Sequence, residues 1–137
     1  MTNKKFKFLE HTADIKFQSF GSTLEELFKN SALAMFSSMH DGKIKPIIKK
    51  KIKVKGKDKE SLLYNFLEEL LFLFDSEEFF PAKINKIKIK KLILEAEIFG
   101  DNAKNYEIHL DVKAVTYNQM FVRKDKGKWV AQVVVDV

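Results

Sequence analysis

The sequence predicts an α+β fold: a single two-layer domain whose mixed or antiparallel β-strands keep one face wet while two amphipathic helices pack on the other. Two observations carry this reading. Two segments repeat apolar residues at helical spacing, and most of the remaining chain alternates apolar with polar at a period of two. No internal repeat and no Pro-, Gly- or Ser-rich linker interrupts the 137 residues, so residues 1–137 read as one domain. That length buries a core without disulfides or a structural metal.

Taken in order, Phe6-Lys7-Phe8 and Ile15-Lys16-Phe17 alternate as half-buried strands do. Ser22-x-x-Glu25 then reads as a capping box opening a first helix. Its apolar face is Leu24, Leu27, Phe28, Ala32, Met35, Phe36 and Met39, and Asp41-Gly42 with Pro46 ends it. The run Lys49-Lys50-Lys51-Ile52-Lys53-Val54-Lys55 resembles low complexity, but its period of two marks an exposed strand whose edge lysines discourage pairing with other chains. A second helix is expected from about Asp58 to Phe74, with Leu62, Leu63, Phe66, Leu67, Leu70 and Leu71 facing inward. Ile87-Lys88-Ile89, Leu92 to Ile98, Tyr106 to Tyr117, Met120 to Val122 and Trp129 to Val135 complete the set of strands.

Composition narrows the function. Hydrophobic residues make up 45% and charged residues 32%, with only five Gly and two Pro, which leaves no room for a long disordered region. Without Cys, thiol catalysis, thiolate zinc sites and disulfides are excluded. The start, Met1 to Phe6, lacks an apolar signal core, and no stretch approaches the roughly 18 apolar residues of a membrane span. The expectation is a cytoplasmic protein. A net charge of +6 invites a nucleic-acid reading, yet Arg123 is the only Arg, the residue that phosphate and base recognition favour. Lys-rich composition also fits heat adaptation.

The motif inventory argues against an enzyme. Gly100 and Gly127 stand alone, so no phosphate-cradling loop exists, and no Ser occupies a nucleophile-elbow setting. His11, His40 and His109 show no i,i+4 pairing and have no Cys partners. What remains is two carboxylates near the ends, Asp14 in Glu10-His11-Thr12-Ala13-Asp14 and Asp136 before Val137, with Lys113 in an apolar segment between them. Oxygen ligands gathered from distant segments make sites for calcium, magnesium or manganese. Asp14 and Thr12 serve equally as hydrogen-bonding turn residues, and Asp136 as a solvated end. The strand-forming run Val133-Val134-Val135 favours a pinned terminus, and Lys113 faces solvent by alternation.

Taken together, Glu10-His11-Thr12-Ala13-Asp14-Ile15, Thr23-Leu24-Glu25-Glu26-Leu27-Phe28, Leu62-Leu63 with Leu67-x-Glu69-Leu70-Leu71, Val112-Lys113-Ala114-Val115-Thr116-Tyr117 and Asp136-Val137 resemble the archease family over essentially the whole chain. Archeases are protein cofactors of the GTP- and manganese-dependent RNA ligase that joins tRNA exon halves. They promote its guanylylation and repeated turnover without ligating RNA themselves. The resemblance implies a non-catalytic accessory protein with no catalytic residues of its own and a divalent metal ion (calcium, magnesium or manganese) held by Asp14, Asp136 and Val137. It assigns ligase activation to Lys113 and His11, the ligase as partner and tRNA as a contact through that complex. Two positions depart from the family pattern. Asn118 stands where His is usual, and an amide coordinates oxygen-loving metals without titrating near neutrality. Phe66 replaces a common Trp, a core substitution. The rival reading is a basic RNA-binding or chaperone-like module in which Lys49, Lys50 and Lys51 grip tRNA; an autonomous metal-dependent hydrolase ranks last.

Overall fold

The computed structural model describes residues 4–10 and 13–137. The described order is β1 (Phe6–Leu9), β2 (Ile15–Gly21), α1 (Leu24–Ser37), β3 (Ile48–Lys55), α2 (Lys59–Glu77), β4 (Phe79–Lys90), β5 (Ile93–Asn102), a 3-10 turn (Ala103–Asn105), β6 (Ala114–Asp125) and β7 (Lys128–Asp136). The α+β architecture predicted from sequence is therefore present, with every strand pairing antiparallel. The strands divide into two sheets, ordered β1-β2-β7-β6 and β3-β5-β4. Each helix touches both sheets, so one core serves the whole fold. Phe17, Phe28, Phe66, Leu94, Val133 and Val135 are all completely buried in it.

Both helices start in the same way. Gly21 ends β2 two residues before the N-cap of α1, and Gly56 follows β3 two residues before the N-cap of α2. A Cβ on Gly21 would lie 2.5 Å from the Leu27 nitrogen, and one on Gly56 would lie 2.5 Å from the Leu62 nitrogen. The first turn of each helix thus rests directly on the backbone of the strand it leaves, an approach only glycine permits.

The cap of α1 lies one residue later than the sequence pattern indicates. Thr23, not Ser22, is the N-cap: its Oγ1 accepts from the Glu26 nitrogen at 3.1 Å. The Glu26 carboxylate reaches back to the Ser22 nitrogen at 2.9 Å. Seating Leu27 over Gly21 selects this register between two equally suitable hydroxyls. Thr23→Ala should cost about 1 kcal/mol in denaturant unfolding, whereas Ser22→Ala should cost little. At the other end α1 stops at Ser37, before the predicted Asp41-Gly42 signal. The Ser37 and Ser38 hydroxyls bond the Ala34 and Met35 carbonyls and compete with continued helix.

Helix α2 runs about a turn past the predicted Phe74 to Glu77, and its C-cap, Glu78, takes a left-handed φ of 55°. Asp75 near its end has its carboxyl pushed above the ordinary range by partial desolvation, with Asp111 and Glu68 adding repulsion. A raised folded-state value favours the native state below the unfolded value, and that contribution is lost as pH rises through the folded one. Asp75→Asn should therefore stabilise the protein near neutral pH, by no more than about 0.5 kcal/mol for an exposed position. The advantage should disappear in acid, as unfolding midpoints across a pH series would reveal.

The largest correction concerns the strand predicted over Tyr106 to Tyr117. Residues 106–113 are irregular, and β6 begins at Ala114 and absorbs Met120–Val122. The alternation is present, but the hydrogen bonds of this segment go elsewhere. The Tyr106 hydroxyl donates to Asp101 Oδ2 at 2.6 Å, which together with the Asn102 amide holds that carboxyl below its usual range. The His109 nitrogen donates to the Met39 carbonyl at 2.8 Å. The lysine run forms the edge strand β3, as its pattern indicates.

Candidate functional site

Strand β7 lies between β2 and β6, and this arrangement brings the distant acidic segments together. Ile15 at the start of β2 pairs with Val135, so Asp14, just before Ile15, and Asp136, just after Val135, flank the last paired residues of the two strands. On the other side Ala114 pairs with Asp136, and the Lys113 nitrogen donates to the Asp136 carbonyl at 2.8 Å. Asp14, Asp136 and Lys113 thus share one end of the four-stranded sheet. Phe17, Val133 and Val135 are fully buried in the core beside this end of the sheet.

Exposure agrees with that geometry. Asp136 and Lys113 are exposed and Asp14 is half-buried. Val137 is half-buried and packs against the core, so an apolar side chain anchors the residue after Asp136. Ala13 adopts a left-handed φ of 67° immediately before Asp14. Such backbone costs a residue with a Cβ roughly 1 kcal/mol and persists where its surroundings impose it. His11 lies outside the described residues.

The outer face beside the two aspartates is polar and tied together. Lys16 Nζ donates to Gln119 Oε1 at 2.8 Å, Gln132 Nε2 donates to the Gln119 carbonyl at 2.8 Å, and Gln18 Nε2 donates to Gln132 Oε1 at 2.9 Å. These bonds hold down a break in the β6–β7 register between Thr116 and Phe121. Within that break Tyr117 stacks on Tyr64 of α2 at 4.2 Å, and partial desolvation of this otherwise exposed ring pushes its phenol pKa up. Asn118 is exposed, and its backbone nitrogen donates to Thr116 Oγ1 at 3.2 Å.

Two carboxylates at one sheet end offer oxygen donors only, the chemistry of calcium, magnesium and manganese. Asp14, Asp136 and Val137, each donating one oxygen, would supply three of the six to eight that calcium prefers. The remaining positions of such an ion would face outward, toward water or a partner. The donor types fit the divalent ion expected from the sequence. The signal for the pairing was present in the chain only as strand-forming Val133-Val134-Val135, which pins Asp136 to the sheet.

Comparison with known proteins agrees in sequence and in fold. Residues 6–137 match the archease protein family. The chain is 41% identical over 141 residues to the protein archease of Methanosarcina mazei, covering 98% of this chain and 97% of that one. It is 41% identical over 142 residues to that of Pyrococcus furiosus, covering 98% and 99%. The solution structure of Methanobacterium thermoautotrophicum protein 1598 superposes with a TM-score of 0.82 at 34% identity, covering 97% of this chain and 99% of that one. The crystal structure of an archease and possible chaperone from Thermotoga maritima shares the fold at a TM-score of 0.64 and 21% identity, covering 96% of each chain. The chain belongs to the archease family.

Proposed function

We propose that this chain is a non-catalytic accessory protein of the GTP- and manganese-dependent tRNA-splicing RNA ligase, promoting ligase guanylylation and repeated turnover. The observation that carries the reading is the convergence of Asp14, Asp136 and Lys113 at one sheet end in a chain of this family. The two carboxylates and Val137 hold a divalent ion at an edge open to a partner. When bound, that ion supplies positive charge against phosphate oxygens, where phosphoryl transfer needs it. The Lys113 amide fixes the Asp136 main chain, leaving its ammonium to meet a phosphate or an acidic group of the ligase. His11 lies three residues before Asp14 and is assigned to the same contact. The ligase itself carries the nucleotide-linked histidine chemistry.

The test is GMP transfer to the cognate ligase at limiting manganese, with and without this protein. Acceleration that is absent with Asp14→Ala supports the reading; no acceleration by the wild-type protein overturns it.

A second reading has its own observation. Lys51, Lys53, Lys86 and Lys88 line a shallow groove of about 450 Å³ on the three-stranded sheet. Direct tRNA binding there would fall steeply with salt as counterions are released. Acidic side chains interrupt the patch: Glu97 lies 3.7 Å from Lys49, Glu95 lies 3.9 Å from Lys53, and Glu77 lies 2.6 Å from Lys50. Those carboxylates repel phosphate, and the ligase reading is preferred.

A further inference from the structure

His40 and Asp41 follow the end of α1, and His109 belongs to the irregular segment 106–113. The bond from the His109 nitrogen to the Met39 carbonyl, 2.8 Å long, draws these two parts of the chain together. One donor atom from each of His40, Asp41 and His109 lies within 4.8 Å of the other two. His109 Nε2 stands 3.7 Å from Asp41 Oδ1. The two imidazole planes are parallel within 4°, their centroids 6.1 Å apart.

Glu107 orients the His40 ring and lies beside that of His109. His40 Nδ1 lies 2.6 Å from the Glu107 carbonyl oxygen. A carbonyl only accepts, so Nδ1 carries the proton and Nε2 presents a lone pair. His109 Nδ1 faces the Glu107 carboxylate at 3.9 Å, which leaves its Nε2 toward Asp41. Phe80 and Tyr106 brace the His40 ring edge-on at centroid distances of 6.1 and 5.5 Å. Residue 42 is glycine, and a Cβ there would lie 2.8 Å from His40 Nε2, so the missing side chain keeps the lone pair clear.

We propose that His40 Nε2, His109 Nε2 and Asp41 Oδ1 form a zinc-binding site, with the Glu107 carbonyl holding the His40 imidazole from behind. Two imidazole nitrogens and one carboxylate suit zinc and related late first-row ions, whereas calcium and magnesium favour all-oxygen sets. A carbonyl or carboxylate behind each ligating histidine is the usual means of fixing its tautomer and raising its basicity. Tetrahedral zinc, with bonds of about 2.0–2.1 Å, holds its donors roughly 3.4 Å apart. The 3.7 Å pair already approaches this, and the exposed Asp41 carboxylate is free to close the rest. Three protein ligands leave a fourth position for water or a partner's side chain. The site is chemically distinct from the Asp14–Asp136 edge and does not depend on the ligase reading. Occupied, it fastens segment 106–113, which leads to Lys113, to the end of α1.

The experiment is calorimetric titration of zinc chloride into the full chain without a histidine tag, after chelator treatment. One equivalent should bind to the histidine site, over and above any at the acidic edge, with affinity reduced at least about 100-fold in His109→Ala, the upper range for loss of even an outer partner. Gly42→Ala removes no donor but places a methyl group against His40 Nε2, and should also weaken binding. A combined Asp14→Ala, Asp136→Ala variant should bind zinc as the wild type does. Cobalt(II) in place of zinc should give the intense visible absorption of a four-coordinate centre, lost in His109→Ala. Absence of saturable zinc binding, binding that survives His109→Ala, or binding lost only with the two aspartates would overturn the proposal.

Discussion

Phe66→Ala is expected to lower the free energy of unfolding by about 3–5 kcal/mol. Phe66 is fully buried, and its ring lies 5.9 Å from that of Phe28, so it joins α2 to α1 across the core. Removing it loses transfer free energy and leaves a cavity, and the cost depends on how far the surroundings collapse. Little collapse is available, because Gly21 and Gly56 seat the first turns of both helices against strand backbone. Against a typical total of roughly 5–15 kcal/mol, such a loss leaves a marginal fold. Denaturant titration should show a lower midpoint with an unchanged slope, and Phe66→Leu should lose less. A loss below about 1 kcal/mol would mean that the helices slide to fill the gap.

Asp136→Ala should behave in the opposite way, abolishing stimulation of the ligase while moving stability by no more than about 0.5 kcal/mol. The carboxylate is exposed, and the sheet contacts at this position are main-chain: the pairing with Ala114 and the bond from the Lys113 nitrogen. Alanine keeps both. The side chain is therefore dispensable for the fold, and only a role in metal or partner binding would make its loss matter. The readouts are guanylylation rate at limiting manganese and the unfolding midpoint of the same preparation. Full stimulation by a folded Asp136→Ala protein would remove the acidic edge from the mechanism.

Both helices were readable because their apolar faces recur cleanly, and the edge strand β3 because its lysines alternate. Where sequence reasoning failed, it lacked hydrogen-bond partners rather than pattern. Ser22 and Thr23 offer the same capping chemistry, and only the fit of Leu27 on Gly21 decides between them. Tyr106 to His109 alternates like a strand, but the Tyr106 hydroxyl bonds the Asp101 side chain and the His109 nitrogen bonds the Met39 carbonyl, so no ladder forms. Division into two sheets left no trace in a period that both share. The convergence of Asp14 and Asp136 was legible only in part: Val133-Val134-Val135 pins Asp136 to a sheet, but local spacing carries no information about which strand it meets there. His40 and His109 lacked any spacing signal for the same reason.

The place of β7 between β2 and β6 also governs how this protein reaches its native state. The Gln18–Gln132 bond that spans β2 and β7 closes a sequence separation of 114 residues. Such non-local pairing costs loop-closure entropy before it returns any contact energy, and topologies dominated by it fold on the millisecond-to-second scale. The acidic edge cannot preform as a local hairpin or turn. It comes into existence only when β2 and the last strand, β7, zip together, so it is absent from any partly folded state in which those two strands are apart.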